Sequence, residues 1–257
     1  MSTTTSITTN RPVWVDLATP DAAASRDFYS RLFGWQMDVS ADPQYGGYAT
    51  ARAGEEAAAG IGPKQNADQP TVWSLYVATD DVDALADKVV AAGGSVFAQP
   101  LDVGDQGRMA IFQDPSGGVI SAWQSKQMSG FGTQRPNMFG WAELNARGVE
   151  RAIPFYQQVF GWAHKETEFA PDQPPYHEFQ IDGQSVAGAW EMSPHIPAEV
   201  PSYWQVYFAV EDVKAAFHKA LDMGGSELVA PSDYPGGEFA IVSDPHGANF
   251  GLIKAQQ

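Results

Sequence analysis

The stretch TPDAAASRDFYSRLFGW, residues 19–35, decides the fold because the chain contains a second version of it. Residues 146–162 read ARGVERAIPFYQQVFGW, and the Phe-Tyr pair and the Phe-Gly-Trp triplet coincide at an offset of 127 residues. Two further stretches recur: TVWSLYVATDDVDALADKVVAAGG (71–94) matches SYWQVYFAVEDVKAAFHKALDMGG (202–225), and FQDPSGGVI (112–120) matches VSDPHGANF (242–250). Repetition on this scale predicts a chain built from copies of one structural unit.

Each copy has the pattern of one strand, one helix and three further strands. Residues 13–18 alternate in the manner of a half-buried strand. Asp21 then opens a helix in which apolar residues recur every four positions and form one stripe, and Gly34 ends this helix. Three short, turn-bounded segments follow like strands, and the pattern restarts near residues 72, 138 and 203. The predicted class is α+β, with four βαβββ units whose mixed sheets pair into cups, because one helix covers only one face of each sheet.

Composition excludes several classes of function. The chain has 257 residues and a formal net charge of −16, which disfavours binding to nucleic acid or to anionic membranes. It contains no cysteine, so disulfides, thiolate metal sites and cysteine nucleophiles are absent. The start, MSTTTSITTNR, has neither a basic segment nor an apolar run, which predicts no signal peptide and a cytoplasmic protein.

The order of "strand, TPD, helix, FY…FGW", then DDVDAL…AAGG, then DPSG before a last strand, resembles the vicinal oxygen chelate superfamily. That superfamily includes glyoxalase I, extradiol dioxygenases, fosfomycin-resistance transferases and bleomycin-binding proteins. The resemblance covers about residues 12–254. Within the superfamily, the chain is similar to the tandem two-domain members from actinobacteria, which are often labelled glyoxalases or hydroxylases. The composition of residues 1–11 predicts a flexible polar tail, and the Gly, Ser, Thr and Pro of Gln127–Pro136 predict a linker. The first domain is then expected over residues 12–126 and the second over residues 137–257.

The metal enzymes of this superfamily carry their ligands at positions that the resemblance transfers to this chain. One ligand precedes the Asp that opens each helix by seven residues, and a carboxylate follows the Asp of the DP turn by seven. These positions hold Trp14, Ser74, Ser121, Trp141, Gln205 and Gly251. Because indole, hydroxyl and neutral amide groups are poor ligands for zinc, iron or manganese, we predict no metal site and no cofactor.

The histidines do not suggest a metal site either. His164, His177, His195, His218 and His246 form no HxH or HxxxH pair, and adjacent strand residues such as His177 and Glu178 point to opposite faces. We therefore predict structural or solvated roles for all five.

Alternation along the strands predicts what lines the cups instead. If Trp14 and Trp141 face a cavity, so do Asp16 and Glu143, two residues further along each strand. The same reasoning adds further aromatic and small polar side chains, which are Ser74, Tyr76, Ser121, Trp123, Gln205, Tyr207 and Asn249. Aromatic walls with a few polar anchors are typical of small-molecule sites and favour a planar ligand. Equally, the aromatic residues could be sheet core and the carboxylates could fix neighbouring strands.

Two main hypotheses about function follow. The first is a metal-independent protein that binds a planar aromatic or hydrophobic compound, for resistance, sequestration or secondary metabolism. The second is a metal-free isomerase, cyclase or lyase on an aromatic or polyketide substrate, with Asp16 or Glu143 as general base and Tyr76 or Tyr207 as acid. A metal-dependent glyoxalase or dioxygenase requires a different ligand register, and a fourth alternative is an interaction module with a filled cavity. Whether the chain is an enzyme stays open.

No nucleophilic triad, phosphate loop or dinucleotide fingerprint is present, because AAGIG and VAGAW are predicted to lie on strands. The expected partner is a small aromatic or hydrophobic ligand, with no nucleic acid and no membrane. A monomer is expected to suffice because the tandem copy supplies the pairing, although a dimer stays open. The Pro-rich insertions Ala170–Pro175 and Ser193–Pro201 are predicted to be either lids or inert surface loops.

Overall fold

A computed structural model describes residues 9–131, 135–169 and 174–255, and these form two similar eight-stranded mixed sheets with four α-helices. The first half contains β1 (Pro12–Thr19), α1 (Ala22–Phe33), β2 (Gln36–Val39), β3 (Ala49–Ala53), β4 (Glu56–Pro63), β5 (Val72–Ala78), α2 (Val82–Ala91), β6 (Ser95–Val103), β7 (Gly107–Gln113) and β8 (Val119–Ser125). The second half contains β9 (Phe139–Ala146), α3 (Val149–Phe160), β10 (Ala163–Thr167), β11 (Tyr176–Ile181), β12 (Gln184–Glu191), β13 (Tyr203–Ala209), α4 (Val213–Asp222), β14 (Ser226–Tyr234), β15 (Gly237–Ser243) and β16 (Asn249–Ala255). The predicted α+β class and the four βαβββ units are confirmed.

The two sheets have the same topology. Their strand orders are β2-β3-β4-β1-β5-β8-β7-β6 and β10-β11-β12-β9-β13-β16-β15-β14, so the second order is the first with each number raised by eight. In both sheets the first strand of a unit pairs in parallel with the last strand of that unit, as β1 does with β4 and β13 with β16. The remaining pairs within each unit are antiparallel, which makes the sheets mixed.

The sequence signals for helix ends act as predicted. The carboxylates of Asp21, Asp81 and Asp212 each accept a hydrogen bond from the backbone N–H three residues on, which satisfies a donor of the first turn. Helix α3 differs because Gly148 precedes it and has no side chain to offer. There the carboxylate of Glu191 accepts bonds from the N–H groups of Gly148 and Val149 at 2.8–3.0 Å. None of the helices in the described ranges is long and apolar enough to span a bilayer.

Contacts divide the chain into two compact units that do not follow the halves of the sequence. Among the described residues, the α2–α3 unit comprises 9–13, 75–130, 142–169 and 174–204, and the α1–α4 unit comprises 14–74, 131, 135–141 and 205–255. The predicted boundaries of tail, domains and linker therefore stay predictions. Residues 1–8 of the predicted tail and 132–134 of the predicted linker lie outside the described residues.

The core of the α1–α4 unit contains a buried chain of hydrogen bonds. The indole N–H of Trp73 donates to the hydroxyl of Tyr29 at 3.0 Å, and this hydroxyl donates to Asp244 at 3.1 Å. The other carboxylate oxygen of Asp244 accepts the N–H groups of His246 and Ala248 in the DPHG turn. Both oxygens of the buried carboxyl group therefore have hydrogen-bond partners, as buried polar groups in proteins usually do.

The α2–α3 unit contains the same arrangement, built from the matching residues of the repeat. Trp204 donates to Tyr156 at 2.9 Å, and Tyr156 donates to Asp114 at 2.7 Å. We call each of these a Trp–Tyr–Asp relay. Each relay joins a helix, a strand and a DP turn, so the Phe-Tyr and Asp-Pro motifs that revealed the repeat have a structural role.

Candidate functional site

Three side chains of the α1–α4 unit form a hydrogen-bonded group, which we call the Trp14 cluster. It consists of the predicted site residues Trp14 and Asp16 and of Tyr48, which was not predicted. The indole N–H of Trp14 donates to the Tyr48 hydroxyl at 2.9 Å, and this hydroxyl points to a carboxylate oxygen of Asp16 at 3.5 Å. Phe131 stacks on the Trp14 ring, with centroids 6.1 Å apart and an interplanar angle of 28°. The cluster thus combines an aromatic surface with a half-buried carboxylate.

Two glycines of β4 make room for Tyr48, which the sequence analysis did not select. A Cβ atom at Gly60 would overlap the Tyr48 hydroxyl, and one at Gly62 would lie 2.8 Å from the ring. Gly60 is opposite Asp16 in the register of β1 and β4. The phenol of Tyr48 therefore lies over the β4 backbone next to the Asp16 carboxylate. The AAGIG segment lies on β4, as predicted, and glycine within a strand signals such a close approach.

The Tyr48 hydroxyl is held in its protonated form. Burial, followed by the charge of Asp16, raises the pKa of Tyr48 well above its usual value of 10.0. The side chain as a whole is only partly buried, but its hydroxyl lies between the indole of Trp14 and the carboxylate. At neutral pH the phenol is therefore a fixed hydrogen-bond donor beside a carboxylate.

At the equivalent positions the second half again has a tyrosine, but it has glutamate in place of aspartate and tryptophan in place of one glycine. Glu143 lies opposite Gly188 as Asp16 lies opposite Gly60, which makes the two carboxylates structural equivalents. By the same register the counterpart of Tyr48 is Tyr176. This ring stacks with Phe169 and packs against Trp190, which stands where the first half has Gly62.

Glu143 has a second aromatic neighbour within the α2–α3 unit. Burial, and then the charge of Glu143, raises the pKa of the half-buried Tyr203. Each carboxylate predicted as a general base thus has a tyrosine close to it, but the two tyrosines come from different positions in the repeat.

The predicted site residues differ in burial. Buried are Trp14, Tyr76, Ser121, Trp123, Gln205 and Tyr207; half-buried are Asp16, Ser74, Trp141 and Glu143; exposed is Asn249. Within the α2–α3 unit, Tyr76 is opposite Ser121, and the indole of Trp123 covers Gly107 and donates to the carbonyl of Met128 at 3.1 Å. Within the α1–α4 unit, Tyr207 covers Gly251, and Asn249 is bonded to Ser243 across β15 and β16.

The residues at the transferred ligand positions determine whether the metal that the superfamily implies could bind there. The six transferred ligand positions hold two indoles, two hydroxyls, one amide and one glycine, and none offers an imidazole or carboxylate. At one of them, Trp14, the only heteroatom is committed as a donor to Tyr48. This donor set does not fit zinc, iron or manganese.

One of the two Pro-rich insertions can be described in full. The guanidinium of Arg147 donates to the carbonyls of Ile196, Pro197 and Val200, and it thereby ties the segment Ser193–Pro201 to the end of β9. Such a segment resembles an anchored surface loop rather than a free lid. Of the other insertion, Ala170–Pro175, residues 170–173 lie outside the described residues.

The α2–α3 unit contains two shallow cavities. The larger, of about 390 Å³, is lined by the start of α2 and the end of α3 and contains none of the predicted site residues. The smaller, of about 140 Å³, includes Trp123. The smaller cavity is below the roughly 300–1,000 Å³ that is typical of small-molecule pockets, and the larger one, although within that range, contains none of the predicted site residues. Neither cavity therefore outweighs the Trp14 cluster as a candidate.

Comparison with known proteins places this geometry in context. Residues 11–121 and 138–252 both match the family described as Glyoxalase/Bleomycin resistance protein/Dioxygenase superfamily. CFP32 of Mycobacterium tuberculosis, which carries the name of a glyoxylase, is 40% identical over 251 residues, covering 95% of this chain and 94% of CFP32. The anthracycline biosynthesis protein DnrV of Streptomyces peucetius is 38% identical over 262 residues, covering 96% of this chain and 94% of DnrV.

Solved structures with the same fold are more distant in sequence. The Mn(II)-bound glyoxalase from Novosphingobium aromaticivorans has a TM-score of 0.65 and 16% identity, and the match covers 95% of this chain and 82% of the glyoxalase. The 2,3-dioxygenase LapB from Pseudomonas sp. KL28 has a TM-score of 0.66 and 15% identity, covering 96% and 92% of the two chains. At this identity the likeness establishes the fold and nothing about the reaction.

Proposed function

Because the chain belongs to the glyoxalase/bleomycin resistance protein/dioxygenase superfamily, we propose that it binds a planar aromatic or hydrophobic small molecule at the Trp14 cluster, independently of a metal ion. The observation that carries the proposal is the stack of Phe131 on Trp14. A planar ring already lies against the indole face, and a ligand ring would take the place of Phe131.

The polar groups of the cluster complement such a ligand. Asp16 is half-buried on β1, and the Tyr48 hydroxyl beside it keeps its proton at neutral pH. A hydroxyl or keto group at the edge of a planar ring could bond to the carboxylate as a donor, or to the phenol as an acceptor. An aromatic wall with two polar anchors is the usual composition of a small-molecule site.

The relatives suggest the chemical class of the ligand. DnrV is named for anthracycline biosynthesis, and an anthracycline carries a planar, hydroxylated anthraquinone system. Binding of an aromatic polyketide of this type would agree with the stacking surface and with the paired polar anchors. The role would be sequestration, resistance or handling of an intermediate in secondary metabolism.

The experiment is a calorimetric titration with a dihydroxyanthraquinone, in which two substitutions have opposite expected effects. Trp14→Ala removes the stacking surface and should raise the Kd about tenfold to a hundredfold, since stacking and burial of an indole contribute about 1.4–3 kcal/mol. Phe131→Ala removes the competing ring and should lower the Kd. Phe97→Ala, at a ring that is 59% exposed on β6, is the matched control and should change nothing.

Several results would contradict the proposal. An unchanged Kd in Trp14→Ala would remove the indole from the site, and a weaker complex in Phe131→Ala would mean that this ring is part of the wall rather than a placeholder. A complex that is lost when EDTA is added would contradict the independence from metal. Circular dichroism of Trp14→Ala checks that the buried substitution leaves the fold intact.

A second candidate function is a metal-free enzyme at the same cluster. The observation in its favour is the pairing of a carboxylate with a protonated phenol, since Asp16 could remove a proton that a substrate loses and Tyr48 could donate to an oxygen that gains charge. Asp16→Asn separates the two candidates. If the protein is an enzyme, this variant should lose turnover but still bind the ligand. If it is a binding protein, neither the wild type nor the variant should consume substrate.

A further inference from the structure

Three possible metal ligands meet on β10 and β11, and none of them occupies one of the six positions transferred from the superfamily's metal enzymes. His164 and Glu166 are two residues apart on β10 and therefore share one face. His177 lies directly opposite Glu166 in the antiparallel register of β10 and β11. One ligand atom from each residue lies within 4.8 Å of the other two. The spacing of these residues along the chain does not reveal the group, because only the strand register brings His177 beside the other two.

The distances are close to those of a coordinated ion. His164 Nε2 and His177 Nδ1 are 2.9 Å apart, so that one proton is shared between the two rings. In a tetrahedral zinc site with Zn–N bonds of about 2.0–2.1 Å, two ligand nitrogens are about 3.3 Å apart. An ion that replaces the shared proton thus requires a separation only slightly larger. Glu166 Oε1 lies 4.0 Å from His177 Nδ1, and its side chain is 59% exposed and free to close this distance.

The setting favours a cation. His177 is 4% exposed and Phe179, on the same face of β11, is fully buried, so the imidazole lies on a rigid part of the sheet. Burial, followed by the neighbouring His164, lowers the pKa of His177, while the charges of Glu166, Glu150 and Glu191 act in the opposite direction. A partly buried pair of imidazoles with three carboxylates around it attracts a divalent ion.

The internal repeat provides a control, because the first half folds in the same way without these groups. The pair Glu166 and His177 corresponds in register to Val39 and Ala49 of β2 and β3. His164 corresponds to Met37 at the repeat offset. The unit therefore needs no polar side chain at any of the three positions, and all three potential ligands occur together in one copy only.

We propose that His164, Glu166 and His177 bind one divalent transition-metal ion of the zinc type, with the remaining coordination positions open to solvent or to a further ligand. Imidazole nitrogen selects zinc, cobalt, nickel or copper over magnesium or calcium, which prefer oxygen ligands. The site does not depend on the Trp14 cluster. An ion removed from it leaves the proposed aromatic ligand bound, so the two proposals can fail separately.

The test is titration of the EDTA-treated protein, prepared without a histidine tag, with Zn²⁺ by calorimetry and with Co²⁺ by visible absorption. We expect one ion per chain, and intense Co²⁺ bands that indicate a coordination number below six. His164→Gln and His177→Gln should each weaken binding at least tenfold. Glu166→Gln, at an exposed residue that does not contribute to the core, should weaken it as well and guards against a folding defect in His177→Gln.

The matched control is His218→Gln, which removes a histidine from helix α4, distant in sequence from β10 and β11. It should leave both titrations unchanged. Absence of stoichiometric Zn²⁺ binding, or binding that persists in His164→Gln, His177→Gln and Glu166→Gln, would overturn the proposal. A second readout is thermal unfolding: Zn²⁺ should raise the Tm of the wild-type protein, because an ion that binds only the folded state stabilises it, and it should not raise that of His164→Gln.

Discussion

The two Trp–Tyr–Asp relays predict how the stability of the protein depends on alkaline pH. Tyr29 and Tyr156 are fully buried, and burial together with the charge of Asp244 or Asp114 raises the pKa of each phenol well above 10.0. Unfolding exposes both phenols and returns their pKa to about 10. A group whose pKa is raised in the folded state contributes stability that is complete below the unfolded pKa and is lost as the pH rises above it.

The size of the loss follows from this linkage. At pH 11 an unfolded tyrosine with a pKa of 10 is stabilised by ionisation by about RT ln 11, or about 1.4 kcal/mol, while the buried phenol stays protonated. The two relays together therefore lower the free energy of unfolding by about 3 kcal/mol between pH 8 and pH 11. This is a large share of the roughly 5–15 kcal/mol that is typical of a folded protein.

The assay is urea denaturation at pH 8 and pH 11 of the wild-type protein and of Tyr29→Phe/Tyr156→Phe. The double variant should be less stable at pH 8, because Trp73 and Trp204 lose their acceptors and each buried group left without a partner costs about 1–3 kcal/mol. Its further loss up to pH 11 should be smaller than that of the wild type by about 3 kcal/mol. Every other ionisable group is present in both proteins, so its contribution cancels in the comparison.

An equal loss in both proteins would refute the reasoning, because it would mean that the buried phenols ionise in the folded state. Native-state titration of tyrosinate absorbance provides an independent check. It should show no ionisation of these two phenols until the protein unfolds.

Two further predictions concern single contacts. Gly60→Ala places a methyl group against the Tyr48 hydroxyl and should destabilise the protein by about 1–3 kcal/mol in urea denaturation; the double variant Gly60→Ala/Tyr48→Ala should recover part of the loss, and no recovery would mean that another contact is responsible. Arg147→Ala releases the three carbonyls of Ser193–Pro201 and should accelerate limited proteolysis within that segment. The control variant Arg31→Ala, at an exposed helical position, should be cleaved by the protease at the wild-type rate.

Much of the fold could be predicted because its signals are local. The Asp residues before three helices and the left-handed glycines after α1 and α3 act where the sequence places them. The exception is α3, whose first turn is satisfied by Glu191 from β12, more than forty residues later in the chain. A glycine before a helix signals that a cap is missing, but it cannot indicate which distant carboxylate replaces it.

The candidate site was predictable only in part. Alternation along β1 correctly associated Trp14 with Asp16, since residues two apart in a strand share a face. Tyr48 was missed because it precedes a short strand, and only the glycines of β4 hinted at a side chain above them. The proposed roles of the predicted residues in ligand binding stay predictions.

The sequence by itself determined that this protein is a fourfold repeat of one α+β unit, and that the superfamily's metal positions lack metal ligands. Both conclusions depend on residue identity and spacing along the chain. Only the tertiary structure decided that Tyr48 bridges Trp14 and Asp16, and that His164, Glu166 and His177 meet. The physical reason is that strand register, which sets these encounters, arises from the packing of the whole sheet rather than from any local pattern.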